Sequence, residues 1–146
     1  MIAILSEKNE TDFESVHVKD IDGNHIGDNA ENSNRLRCSY GKELEERIHE
    51  LQRENRDFVV IHNHPNNTPP SPKDFYDAFQ KGYKFGIIAG HDGSIYKYYP
   101  PKHGLSGKDI DKIIFNINTL LAIDLDKEQA FLFVLNRFNC CFKRII

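Results

Sequence analysis

Short β-branched or aromatic runs in this chain are interleaved with stretches whose apolar residues recur at helical spacing, and that pattern predicts a mixed α/β domain. Residues 13–19 read as a strand, with Phe13, Ser15, His17 and Lys19 on one face and Glu14, Val16 and Val18 on the other. Asp22, Gly23 and Asn24 signal a turn into a second short strand near His25 and Ile26. Residues 27–40 are polar and rich in Asn, which predicts a loop with a strand near 36–40. Leu44, Ile48 and Leu51 stand at i, i+4 and i+7 among charged residues, the mark of an amphipathic helix over 42–55. The apolar run 57–61 predicts a buried strand. A helix starting at Pro72 follows, with Phe75, Ala78 and Phe79 as its buried stripe.

Beyond Gly82 the strand pattern returns. Residues 84–89 and 94–99 predict a hairpin about the turn His91-Asp92-Gly93, and Pro100-Pro101 ends it, since successive prolines exclude a central strand. From Ser106 the spacing of Ile110, Ile113, Ile114, Ile117, Leu120 and Leu121 is helical. A further helix is expected over about 126–137, burying Ala130, Phe131, Val134, Leu135 and Phe138, and the tail 140–146 can add an edge strand. The sum is a central sheet covered by helices. A chain of 146 residues fits one domain with a real core.

Composition narrows the class. Charged residues at 28% and hydrophobic residues at 39% indicate a soluble globular chain, and a formal charge of −3 offers no general attraction for nucleic acid, so none is expected as a partner. The three cysteines, Cys38, Cys140 and Cys141, are odd in number and lack C-x-x-C spacing, which favours a reducing cytoplasm over a disulfide framework. The opening 1–5 is too short for a signal h-region and has no basic n-region. The apolar runs are short and broken by charge, so no membrane span is expected. Nothing in the sequence specifies an oligomeric state.

The chemistry concentrates in the segment 61–74, I-H-N-H-P-N-N-T-P-P-S-P-K-D. In an extended chain residues i and i+2 point the same way, so His62 and His64 aim both imidazoles at one point just past the end of the strand 57–61. Asp74 can add a carboxylate from the next element. Two imidazoles and one carboxylate make a three-donor site for a borderline metal with a fourth position for water, the pattern of a catalytic zinc rather than a closed structural one. Ser71, Pro72 and Asp74 also read as helix punctuation: an N-cap, a first-turn proline and a capping-box acid. The two readings are compatible.

His62-Asn63-His64-Pro65 followed by Ser71-x-x-Asp74 resembles the metal motif of the JAMM (JAB/MPN-type) zinc metalloproteases, and is closest to their bacterial and phage members. The nine residues from 65 to 73 make the loop one shorter than the commonest form of the family, a variant similar to that of phage and toxin-associated members. The resemblance implies a curved mixed sheet flanked by helices, in an architecture related to the cytidine deaminases. It covers a motif-bearing core of about 11–100 within a single domain 1–146, leaving 105–146 as a helical extension. It implies Zn2+ on His62, His64 and Asp74, and hydrolysis of an amide bond in a peptide or protein conjugate by metal-activated water. A general base must take a proton and return it to the leaving amine. In the family this is a glutamate near the start of an early strand, and Glu14 matches best, with Glu7, Glu10 and Glu31 also upstream. Ser71 would by resemblance donate a hydrogen bond to the oxyanion, beside its reading as a helix cap. Two other classes are a non-catalytic MPN-like interaction module and a DNA-associated role like that of RadC-type proteins, the latter disfavoured by the acidic charge. A deaminase site wants H-x-E with P-C-x-x-C, and neither is present. His91, in its turn, reads as a surface residue. His17 faces away from Glu14 on the strand, and His25 has no partner pattern.

Overall fold

The computed structural model describes residues 15–29, 40–64 and 66–146. In chain order their elements are β1 (Val16–Asp20), β2 (His25–Asp28), α1 (Lys42–Arg53), β3 (Phe58–His64), α2 (Pro72–Lys81), β4 (Phe85–Gly90), β5 (Ile95–Tyr98), α3 (Gly107–Ala122), α4 (Lys127–Arg137) and β6 (Phe142–Arg144). The strands form one six-stranded sheet in the order β2-β1-β3-β4-β5-β6. Only β3 and β4 are parallel, as their connection through α2 requires, and every other neighbour is antiparallel. The architecture is therefore α/β with a mixed sheet, as the patterning predicts. No helix among the described residues is long and apolar enough to cross a membrane.

Register decides which side chains meet. Gly27, Val18, Val60, Gly86, Tyr98 and Phe142 lie in one row across the sheet, and Val16, His62, Ile88 and Tyr96 in the next. Cross-strand partners share a face, so both rows belong to the face that carries the hydrophobic core. α1 lays Leu44, Ile48 and Leu51 against Val16 and Val18 in that core, and Leu44 closes directly over Gly27. α2 contributes Phe75 and Ala78, and α3 and α4 add Ile113, Ile117, Val134 and Leu135. Each fully buried side chain of this size contributes about 1.5–3 kcal/mol of burial free energy.

Several boundaries and faces differ from the sequence expectation, each for a local reason. β3 does not end at Ile61 but continues through Asn63 and His64, because β4 accompanies it as far as Gly90. His62 and His64 therefore sit on the strand rather than past it. α1 stops at Arg53, and Asn55 takes a left-handed φ of 53°. Phe79 is half exposed: Phe75 and Ala78 take the inner stripe of α2, and Phe79 lies instead against Gly104 of a loop. Ile114 is also exposed, since Ile113 and Ile117 already occupy the inner line of α3 and the next residue is turned away by about 100°. Phe131 and Phe138 are only partly buried at the core edge. The expected strand near 36–40 falls mostly outside the described residues; Tyr40 is buried but not in a strand.

One glycine is set by close approach. A Cβ on Gly86 would overlap Cζ and Cε1 of Tyr98, so the phenol ring occupies the space where any side chain would have to go. Gly86→Ala must push that ring out of the core, and we expect a loss of about 2–3 kcal/mol in stability, within the range of overpacked cores. Urea unfolding of the variant checks it through a lower midpoint at unchanged slope; a midpoint equal to wild type would show that Tyr98 is not fixed there.

Candidate metal centre

Strand alternation turns His62 and His64 toward the helical face and Asn63 toward the other. The chain then runs through Thr68, Pro69 and Pro70 to Ser71, whose extended backbone (φ −88°, ψ 164°) opens α2. Ser71 is the N-cap in a full capping box. Its Oγ accepts from the Asp74 N–H at 3.3 Å, and Oδ2 of Asp74 accepts from the Ser71 N–H at 2.7 Å. Pro72 fills the first helical position, where no N–H is needed. The cap thus fixes the rotation of the first turn, and the rotation carries Asp74 into the space between the two imidazoles.

The three donors form a small triangle. His62 Nε2 lies 3.1 Å from Asp74 Oδ1, His64 Nε2 lies 3.3 Å from Asp74 Oδ2, and the two Nε2 atoms are 3.2 Å apart. Ligands bonded to one tetrahedral ion at zinc-like lengths are spaced about 3.3 Å from each other; the two imidazole nitrogens stand near that spacing, and each stands near it from a different oxygen of Asp74. The donor chemistry fits too. The ring of His64 is held by Thr68, whose carbonyl and hydroxyl oxygens lie 2.9 and 3.0 Å from Nδ1. A carbonyl only accepts, so the proton resides on Nδ1 and the Nε2 lone pair faces the triangle. His62 Nδ1 is buried and has no hydrogen-bond partner among the described residues, so on that side the ring is held by packing. These residues could hold a metal ion.

Asp74 is only 9% exposed. Burial pushes its carboxyl pKa up, but in the metal-free chain the imidazoles of His62 and His64 in their protonated form outweigh that by charge and hydrogen bonding and hold it well below the ordinary value of 3.8. Beneath it, Tyr83 donates its hydroxyl to the Asp74 carbonyl at 3.2 Å and meets the Tyr98 hydroxyl at 2.8 Å. Burial holds both phenols well above their usual pKa, so they stay neutral. The ring of Tyr98 also stands edge-on to His62, with 6.3 Å between centroids.

On the opposite face Asn63 is fully buried and joins three segments. Its Oδ1 accepts from the Ser15 N–H at 2.6 Å, and its amide nitrogen meets His91 Nε2 at 3.1 Å. Asn29 Oδ1 accepts from the Val16 N–H at 2.6 Å, so two asparagines clamp the start of β1.

Of the residues singled out in the sequence, His62, His64 and Asp74 come together, and Ser71 adjoins them as the helix cap. The Ser71 hydroxyl lies 3.1 Å from Asp74 Oδ2 and spends its proton there. Glu14 lies outside the described residues, as do Glu7, Glu10 and Glu31. His91 lies in its turn, half-buried, and its Nε2 meets the amide of Asn63. Thr68, Tyr83 and Tyr98 carry no local sequence signal, since each is recruited by the fold. A second group of the same donor types, His17, His25 and Asp28, also escapes the sequence reading. No protein-family model matches the chain, and no curated protein matches it.

Because the folded pKa of Asp74 is depressed, its stabilising contribution is complete above the ordinary carboxylate value of 3.8 and is lost as pH falls toward the lower folded value. Denaturant titrations across the acid range should show Asp74→Asn with a shallower acid limb than wild type, by about one proton taken up on unfolding. Parallel acid limbs would contradict the depressed pKa.

Proposed function

We propose that this chain is a zinc-dependent metallopeptidase or isopeptidase of the JAMM type, which hydrolyses an amide bond in a peptide or a protein conjugate. The single observation that carries the reading is the convergence of His62 Nε2 and His64 Nε2, 3.2 Å apart, on Asp74, whose Oδ1 lies 3.1 Å from the first and whose Oδ2 lies 3.3 Å from the second. Two imidazoles and a carboxylate suit zinc better than the hard cations, which prefer all-oxygen shells. Zinc held by these three side chains supplies Lewis-acid polarisation of a carbonyl and a water acidic enough to be deprotonated near neutral pH.

The protein's own residues supply the rest. A general base takes a proton from the attacking water and returns it to the departing amine nitrogen, so that the leaving group departs neutral. We assign that role to Glu14. By resemblance the base is a glutamate near the start of an early strand; Glu14 comes two residues before Val16 in the sequence, and Val16 is the cross-strand partner of His62. The clamp on the Ser15 and Val16 amides anchors the chain immediately beside it. Ser71 stands next to Asp74, and by turning its hydroxyl from Oδ2 toward substrate it would donate to the oxyanion.

The experiment is metal analysis joined to a cleavage assay. The purified chain should hold zinc tightly, and His62→Ala, His64→Ala and Asp74→Ala should each lose it. Amide hydrolysis on a peptide and isopeptide library should vanish with chelator and return with zinc. Glu14→Gln should keep the metal while losing activity by roughly a hundredfold, with Glu7→Gln and Glu10→Gln near wild type. A zinc-loaded chain that cleaves nothing in the library would overturn the enzyme reading in favour of an interaction module.

Ser71→Ala separates cap from donor. Loss of the cap alone lowers stability by about 1 kcal/mol and leaves kcat intact. A donor acting in the transition state lowers kcat with little change in KM, and that is the outcome we expect in addition to the stability loss.

A further inference from the structure

We propose that His17, His25 and Asp28 form a second binding site for a divalent transition metal, on the β1–β2 hairpin and on the face of the sheet opposite the candidate centre. His17 and Asp28 are direct partners across the antiparallel pair. A bulge then shifts the register between Val18 and Lys19, so that Lys19 pairs with His25 and Ile26 is left over. Without that extra residue His25 would alternate to the core side; the bulge turns it to the face of His17 and Asp28, the use of a bulge to re-aim a side chain. Ile26, the residue left over, packs against the core.

The geometry has the requirements of a site. His25 Nε2 lies 3.2 Å from Asp28 Oδ2, the rings of His17 and His25 are 5.7 Å apart at centroids, and one donor atom from each of the three residues lies within 4.8 Å of the others. Small side-chain rotations reach the spacing of about 3.3 Å that one ion imposes. The donor set again selects zinc, nickel or copper over magnesium or calcium. His25 and Asp28 are 48% and 38% exposed, so an ion enters from solvent and water completes its shell. That exposure, with the charge of Lys19 on the same face, makes the site weaker than the buried one. His17 pairs with Ile61 and belongs to the other face from His62, so the two donor sets cannot share an ion. A metal here would bridge β1 to the edge strand β2.

Equilibrium dialysis of the metal-stripped chain against stepped free zinc tests the proposal, with thermal unfolding followed in parallel. Wild type should take up about two zinc ions in two separate steps, and Tm should rise again in the second. His25→Ala and Asp28→Asn, both at exposed positions, should keep the first step and lose the second. His103→Ala, an exposed histidine outside both groups, should keep both. His62→Ala should lose only the first, so failure of the buried centre and failure of the hairpin site give different patterns. If, up to about a thousandfold above the first half-saturation, no step of the wild type is abolished by His25→Ala and Asp28→Asn, the hairpin site is overturned.

Discussion

An ionised carboxylate taken out of water costs several kcal/mol unless opposite charge and hydrogen bonds replace its hydration, and the end of β3 is built around that requirement at Asp74. Two imidazoles face its oxygens, the Ser71 amide and hydroxyl reach Oδ2, and the helix N-terminus adds its partial positive charge. Each of these depends on something larger. The imidazoles converge because β3 stays extended through His64, and it stays extended because β4 runs beside it to Gly90. The helix points its N-terminus at them because the crossover between parallel strands returns over the sheet at that place.

The floor under this arrangement is aromatic and buried. Gly86 leaves room for the ring of Tyr98, which then reaches Phe75, Tyr83 and His62 at once. Tyr83 carries the hydrogen-bond chain on to the backbone of Asp74. A missing side chain on one strand thus governs the position of a helix turn on another layer. Specific packing of this kind makes the donors' positions reproducible rather than merely adjacent.

What the sequence disclosed divides along physical lines. Elements with a strong period were legible: the stripe Leu44, Ile48, Leu51 and the hairpin about His91-Asp92-Gly93 sit where the pattern put them. The meeting of His62, His64 and Asp74 was legible because all three fall within one short segment whose alternation and cap signals are local. The contacts of Asn63 were not, since they join residues far apart in the chain, and no single-sequence pattern encodes such a meeting. The His17, His25 and Asp28 group was hidden by parity: simple alternation separates His25 from Asp28, and only the bulge reunites them. Phe79 and Ile114 were misplaced because a stripe of apolar residues on a helix can be wider than the surface it covers.

The span of chain enclosed by each set of contacts sets an order of assembly. His62 and Asp74 are 12 residues apart, with four prolines in the connection, whereas the Ser15 amide reaches Asn63 across 48. Two doublings of loop length add about 1 kcal/mol of closure entropy. The donor corner is therefore a near-neighbour structure that the chain can form on its own scale, while the clamp on β1 closes only when distant parts of the domain have met. The corner that gathers the two histidines and the aspartate therefore asks less closure entropy of the chain than the clamp on the strand beside it.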